Sequence, residues 1–174
     1  YGSTNSPDRA IGHLPTTGSG DRGLQIEITN DTGSAIESFA LGYTGEQWRD
    51  WDGGASPVQQ LTVWFSTSPD SGFVAMGSQF DFTALHQTGA YSKLDGNDPA
   101  NRQVINAIYE PPSLIEHGQT FYITWHDVND VSVSDNPLAV DDVSFSASFG
   151  PREVLSRSGN LDTDSGNDFR RSNT

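Results

Sequence analysis

The feature that most constrains the fold is a period-2 alternation of apolar and polar residues that recurs along the chain. The run LQIEITN (24–30) places Leu24, Ile26 and Ile28 on one face and polar side chains on the other. Successive side chains of a β-strand point to opposite faces, so this run predicts a strand with one buried face. Five further runs share the pattern: SFALGY (38–43), QQLTVWFS (59–66), RQVINAIY (102–109), TFYITWH (120–126) and VSFSASF (143–149).

Turn-forming residues separate these runs, and no stretch has the periodicity of a helix of three turns. At least six strands joined by polar turns predict an all-β fold, an antiparallel two-sheet sandwich of jelly-roll type. We expect residues 1–149 to form this domain. Residues 150–174 are polar and lack a sustained apolar pattern, so we interpret them as a C-terminal tail or extension that contacts a neighbouring subunit.

The alternation also predicts which large side chains enter the core. Phe39, Leu41 and Tyr43 should point inward, as should Phe121, Ile123 and Trp125. Trp64 lies between two inward positions and is therefore predicted on the opposite face of its strand. In the last run, the alternation predicts four inward residues: Val143, Phe145, Ala147 and Phe149.

Composition excludes several classes of partner and chemistry. The 174 residues suffice for one domain with a sizeable core, and the absence of cysteine excludes disulfides and thiolate chemistry. Nine basic against 23 acidic residues, net −14, argue against nucleic acid and anionic membrane surfaces. No apolar run approaches the ~20 residues of a membrane span, so no membrane insertion is expected. The chain begins with Tyr1 rather than Met, which favours an exported, processed protein or an excised domain.

Seven short fragments follow one another along the chain: DRAIG (8–12), NDTG (30–33), YTGEQWR (43–49), LDGN (94–97), NRQVI (101–105), FYITWHDVN (121–129) and LAVDDVSF (138–145). Together and in this order they resemble a bacterial secreted β-sandwich module of uncharacterised function, which occurs in exported and PEP-CTERM-type surface proteins. The last fragment is also similar to the end of MAM-type jelly rolls. The resemblance implies a non-catalytic module at the cell surface or outside the cell. The chain departs from the usual pattern in WHDVNDVSVSDNP (125–137).

A calcium ion is predicted near the acidic pair in LAVDDVSF. Leu138 and Val140 occupy even-numbered positions, whereas the apolar residues that follow occupy odd-numbered positions. A β-bulge near Asp141 and Asp142 adds one residue and would let both groups face the core. Without the bulge, Asp141 would point into the core and would need a cation, an arginine or amide donors. Calcium, bound by six to eight oxygens, meets that need. Asp8 is the predicted partner, because the terminal strands of jelly rolls often lie side by side.

Other oxygen-rich segments offer weaker candidates. Asp127, in HDVNDVSVSD (126–135), is a further predicted calcium ligand. The alternative is that these aspartates are solvated or form ordinary Asx-turns. DTDSGND (162–168) lacks the later residues of an EF-hand loop and is explained by turns.

Motifs for catalysis are absent. The four histidines are scattered, and the sequence contains no HExxH, GxSxG or phosphate-binding loop. Glu46 with Asp50 or Asp52 could imitate a glycosidase pair, but such pairs are frequent in acidic proteins. We therefore do not expect an enzyme.

Tryptophans next to charged residues mark the candidate contact surfaces. In GYTGEQWRDWDGG (42–54), Trp48 is expected to cap the sandwich and Arg49 to pair with a carboxylate such as Glu46. Trp51 and Trp64 remain as predicted contacts for a ligand or a neighbouring subunit.

Two functions fit these observations. One is a structural subunit that self-associates into a surface filament, sheath or matrix, with REVLS (152–156) donated to a neighbour's sheet edge. The alternative is a carbohydrate-binding module of a secreted polysaccharide-active protein, with a tryptophan stacked on the sugar.

Overall fold

The computed structural model describes residues 1–51, 58–129 and 134–150, and it contains eleven strands. Asp52, REVLS, DTDSGND and all of the predicted tail beyond Gly150 lie outside the described residues. Within them, the helical structure consists of two 3-10 turns, Ser78–Phe80 and Pro99–Asn101. The strands are β1 (Ile11–His13), β2 (Arg22–Thr29), β3 (Ile36–Gln47), β4 (Arg49–Asp50), β5 (Gln60–Ser66), β6 (Val74–Ala75), β7 (Phe82–Thr83), β8 (Ser92–Lys93), β9 (Arg102–Tyr109), β10 (Thr120–Asp127) and β11 (Leu138–Phe149).

Two antiparallel sheets form the body of the domain. The first sheet has the order β1-β11-β3-β9, and the second has the order β2-β10-β5-β6, with β7 also paired to β5. A two-stranded ribbon, β4-β8, lies apart from both. The predicted all-β antiparallel sandwich is confirmed, whereas the jelly-roll connectivity stays a prediction. The predicted pairing of the terminal strands is also present, since Ile11 lies opposite Val140.

The core between the sheets consists of the inward-facing side chains that the alternation predicts. Phe39 and Leu41 from β3, and Phe121, Ile123 and Trp125 from β10, are all fully buried. Aromatic contacts join the two layers, with the Phe39 and Phe121 rings 5.6 Å apart between centroids. These contacts bury a large apolar surface, which is the main source of stability in a domain without disulfides.

The predicted bulge is present in β11. Asp141 pairs with Thr44 and Ser144 with Gly42, so three steps along β11 match two along β3. Asp142 has a φ of 50°, which marks the extra residue. The apolar residues before and after this point therefore both face the core.

Two of the residues predicted to be inward are not in the core. Val143 is 44% exposed because it belongs to the bulge, where the strand does not alternate regularly. Phe149 is 46% exposed at the end of β11, beyond a second register shift after Ser148. Phe145 and Ala147, between these irregularities, pack on the core as predicted.

Candidate functional site

The outer face of the second sheet carries a half-buried tryptophan, Trp64, on β5. Trp64 lies opposite Thr124 of β10, which in turn lies opposite Gln25 of β2, so the three side chains form one row across the sheet. Val63 and Phe65 are buried, which turns Trp64 away from the core as the alternation predicts. The indole is held in place, because its Nε1 donates a 2.9 Å hydrogen bond to Thr62 Oγ1.

Around this indole lies an open apolar pocket of about 270 Å³. Four residues line it, Trp64, Phe73, Thr124 and His126, which we call the aromatic platform. The Phe73 ring is 39% exposed, and the His126 Nε2 atom lies 3.8 Å from a carboxylate oxygen of Asp21. The platform therefore combines the half-buried Trp64 ring and the exposed Phe73 ring with the hydrogen-bonding side chains of Thr124 and His126 on β10.

Polar residues flank the platform along the same face. The Gln25 side-chain amide donates 3.0 Å and 3.1 Å hydrogen bonds to Thr124 Oγ1 and to the carbonyl of Pro69. Tyr122 lies one row further along β10, opposite Ser66 and Glu27. Burial raises the pKa of the Tyr122 hydroxyl, and contact with Glu27 raises it further, so this hydroxyl remains a hydrogen-bond donor at neutral pH.

A second aromatic group lies at one end of the sandwich. The Tyr1 and Trp48 rings stack with centroids 5.8 Å apart, and the Arg49 guanidinium carbon lies 4.3 Å from the centroid of the Trp51 ring. These four side chains line part of a pocket of about 520 Å³. The expected pairing of Arg49 with Glu46 is wrong, because Arg49 stacks on Trp51 and Glu46 accepts a hydrogen bond from Trp48.

The backbone of Trp51 is fixed by a buried amide. Its N–H donates a 2.6 Å hydrogen bond to Asn136 Oδ1, and the Asn136 side-chain nitrogen donates to the carbonyl of His86. Gln47, also fully buried, donates to the same His86 carbonyl and accepts from the His86 N–H. Trp51 therefore belongs to a rigid end of the sandwich, whereas Trp64 lies on an open sheet face.

Asp50, the nearest described carboxylate to Trp51 in sequence, is occupied with a neighbouring loop. It accepts hydrogen bonds from the N–H and hydroxyl of Thr88 and from the N–H of Gly89. Burial alone would raise the pKa of Asp50, but the hydrogen bonds from Thr88 and Gly89 outweigh it and lower the pKa. The carboxylate thus acts as an anchor for residues 88–89.

The acidic residues that the sequence singled out fall into separate places. Asp8, three residues before β1, lies close to Asp141, one residue beyond the paired part of β11. Burial raises the pKa of Asp141, and the nearby Asp8 carboxyl raises it further. Asp142 instead accepts a 3.2 Å hydrogen bond from Thr44 Oγ1. Asp127 belongs to a different group, with Asp135 and Asp21 as the acidic neighbours that act on it.

Asp127 is a buried carboxyl group at the end of β10. It is 1% exposed, and its Oδ2 atom has no hydrogen-bond partner in the part of the chain that the structure describes. Burial, followed by the charges of Asp135 and Asp21, raises the pKa of Asp127 to about 8. It is therefore mainly protonated at neutral pH.

Glu46 is the acidic residue whose environment the sequence did not predict. It is fully buried near the end of β3, although its parity places it on the outer face of the first sheet. Burial and the charges of Asp141 and Asp8 raise the pKa of Glu46 to about 6, against the hydrogen bond from Trp48, which lowers it. The available signal was the parity of Glu46 relative to the inward Tyr43, but nothing in the sequence indicated what covers it.

Across residues 1–51, 58–129 and 134–150, no three His, Asp or Glu side chains already converge as metal ligands would. The same residues contain no helix of the length and hydropathy needed to cross a membrane. Comparisons with known protein families and with curated proteins found no match to this sequence.

Proposed function

We propose that this chain is a non-catalytic module that binds a neutral polysaccharide on the aromatic platform. The observation that carries the proposal is the half-buried Trp64 indole, which lines an open pocket with Phe73, Thr124 and His126 on the outer sheet face. Such a module would work at the cell surface or outside the cell, where polysaccharides are found.

The chemistry of the platform suits a sugar ring. Pyranose rings have apolar C–H faces that pack on aromatic rings, and polar edges that need hydrogen-bond partners. Trp64 and Phe73 offer the apolar surface, and Thr124, His126 and Gln25 offer donors and acceptors beside it. Because Trp64 is fixed by Thr62, little side-chain entropy is lost on binding.

Charge narrows the class of polysaccharide. The chain has a net charge of −14, and acidic residues lie near the platform. Asp21 is 3.8 Å from His126, and the charges of Glu27 and Asp70 act on Tyr122. Like charges repel at this range at low ionic strength, so an anionic polysaccharide would bind weakly. A neutral glycan is the expected ligand.

Affinity electrophoresis in gels that contain neutral or anionic polysaccharides tests this proposal. We expect retardation in at least one neutral glycan, and Trp64→Ala should abolish it, because the stacking surface is lost. Trp51→Ala is the matched control at the other end of the sandwich, and it should migrate like the unmodified chain. Absence of retardation across a broad glycan panel, or retardation lost in Trp51→Ala and kept in Trp64→Ala, would contradict the proposal.

Self-association is the second candidate function, and the edge of the first sheet favours it. Strand β9 pairs only with β3 among the described strands, so its other edge is open. Val104 and Ile108 on its outer face are 75% and 69% exposed. Open edges with apolar side chains readily pair with another copy of the chain.

Negative-stain electron microscopy and sedimentation velocity at high protein concentration test self-association. Regular fibres that disappear in the Val104→Lys/Ile108→Lys double variant would support assembly through β9. A monomer at all concentrations would contradict it. The Trp64→Ala variant is the control that should assemble normally.

A further inference from the structure

We propose that Glu46 and Asn97 join Asp8 and Asp141 in binding one calcium ion on the outer face of the first sheet. The ion would fasten residues 1–10 and the 94–101 loop onto β3 and β11. This inference is independent of polysaccharide binding, because the ligands lie on the opposite sheet from the aromatic platform.

Strand register places two of the ligands on one surface. Asp141 lies opposite Thr44 and Ala139 lies opposite Glu46, so Glu46 and Asp141 are one row apart on the same face. Such diagonal neighbours are about 7–8 Å apart at the backbone, which two carboxylate side chains can bridge with one ion between them. The electrostatic effect of Asp141 on Glu46 agrees with this placement.

Asp8 and Asn97 reach the same place through the N-terminal segment. Asp8 precedes β1 by three residues, and the pairing of Ile11 with Val140 brings this segment beside Asp141. The N–H of Asp8 and the side-chain nitrogen of Asn97 both donate 3.2 Å hydrogen bonds to Ser6 Oγ. Asn97 is thereby held beside the segment that carries Asp8.

Two buried oxygens in this region have no donor. Glu46 Oε1 and Asn97 Oδ1 are both inaccessible to solvent, and neither has a hydrogen-bond partner among the described residues. The whole Glu46 side chain is buried, while its other oxygen already accepts from Trp48. Buried acceptors without donors are costly, and a cation would satisfy both.

Among the described residues, no basic side chain pairs directly with the carboxylates of this cluster. Arg102 lies opposite Glu46 in the β3–β9 register and its charge acts on Glu46, but no Arg or Lys of the described chain lies within 4.0 Å of a carboxylate oxygen of Asp8, Glu46 or Asp141. The Arg9 guanidinium, next in sequence to Asp8, donates to the backbone carbonyls of Ser3 and Asp8 instead. The negative charge of the cluster is therefore left without a paired cation.

The donor set selects the kind of ion. All four side chains offer oxygen, and neither His nor Cys takes part, which favours a hard cation over zinc or copper. Two other predicted ligands fall outside the site, because Asp142 is engaged by Thr44 and Asp127 lies in the separate acidic group.

Isothermal titration of the chelator-treated full chain with calcium chloride tests the inference. We expect one ion per chain, with a dissociation constant in the range of extracellular calcium modules, about 10⁻⁴–10⁻³ M or tighter. Calcium should also raise the melting temperature, since it binds only the native state.

Glu46→Gln and Asp8→Asn should each weaken binding at least about tenfold, because each removes a charged ligand. Asp127→Asn is the matched carboxylate control, in a separate acidic group, and should bind as the unmodified chain does.

Three results would overturn the inference. They are the absence of binding heat and of any melting shift at about 10 mM calcium, unchanged binding in Asp8→Asn and Glu46→Gln, and loss of binding in Asp127→Asn. Should Glu46→Gln fail to fold, Asp8→Asn and Asn97→Ser decide the matter, because both lie in peripheral segments. Trp64→Ala should keep full calcium affinity, which separates this test from that of polysaccharide binding.

Discussion

The Trp48 indole Nε1 donates a 2.9 Å hydrogen bond to Oε2 of Glu46, two residues earlier in the chain. This contact fixes a buried acidic side chain under an aromatic ring, and the same ring stacks on Tyr1. Trp48, which lies between β3 and β4, is thus the hydrogen-bond donor that the structure shows for the Glu46 carboxylate near the end of β3. Several properties of the protein should depend on such single buried contacts.

Replacing Trp48 with phenylalanine should destabilise the domain. Phenylalanine keeps an aromatic face toward Tyr1 but removes the donor to Glu46, which leaves a buried carboxylate with no hydrogen-bond donor among the described residues. The expected loss is about 1–3 kcal/mol in the free energy of unfolding, measured by urea denaturation. Trp64→Phe is the control: the partner of its indole, Thr62, is partly solvated, so the loss should be well under that range. Equal losses in the two variants would contradict this assignment.

The pH dependence of stability should contain a contribution from Asp127. Its pKa is raised to about 8 in the folded chain, against about 3.9 when unfolded, so the folded state holds the proton more tightly. The resulting stabilisation is complete below about pH 4 and is lost as the pH rises through 8. Asp127→Asn, which cannot ionise, should flatten this slope and be more stable than the unmodified chain at pH 8, by about 1–3 kcal/mol.

Urea titrations at several pH values between 4 and 8 measure this effect. The informative quantity is the difference between Asp127→Asn and the unmodified chain, because other carboxyl groups contribute to both. Glu110→Gln, an exposed substitution at the end of β9, should leave the slope unchanged. A difference that does not change with pH would show that Asp127 ionises normally.

Alanine at Gly45 should disturb the core. A Cβ at this position would overlap the Phe82 ring, which is fully buried. Overpacking of this kind costs about 1–3 kcal/mol. Gly18→Ala is the matched control, because a Cβ there meets no described atom within 4 Å. The melting temperatures of the two variants should therefore differ by several degrees. Equal melting temperatures would contradict the close packing of Phe82 against Gly45.

Phenylalanine at Tyr43 should weaken the domain by removing one hydroxyl. The Tyr43 hydroxyl donates a 2.6 Å hydrogen bond to the Phe80 carbonyl in the 3-10 turn. Without it, a buried carbonyl loses this donor, which costs about 1–3 kcal/mol in the free energy of unfolding. Tyr91→Phe, at a position that is 67% exposed, should have no measurable effect in the same urea assay.

The sequence predicts the long strands well because their alternation is local information. RQVINAIY coincides with β9, and QQLTVWFS differs from β5 by one residue at its start. The outward Trp64 follows from the same parity. The short strands β4, β6, β7 and β8 were missed, since two residues carry no periodicity.

The candidate sites were predicted only in part, because they are built from distant segments. The partnership of Asp8 with Asp141 follows from the pairing of terminal strands, which general topology predicts. Glu46 is buried beside Trp48, whose ring lies against Tyr1 and Gly96, and nothing in a linear sequence gives the relative position of these segments. The position of the Phe73 ring beside Trp64 could not be predicted either, because Phe73 lies in a loop whose sequence shows no apolar–polar alternation.

The extra residue at Asp142 shifts the inward–outward alternation of β11 by one position. Before it, the even-numbered Leu138 and Val140 face the core. After it, the odd-numbered Phe145 and Ala147 face the core, and the serines between them face outward. Substitutions in the outward serines should be tolerated, and deletion of Val143 should leave Phe145 on the core side, because two steps along β11 would then match two along β3. Loss of the bulge with no change in length would instead bring Ser144 and Ser146 into the core and expel Phe145. In the evolution or redesign of this domain, the length of the 141–144 segment and the bulge must therefore change together.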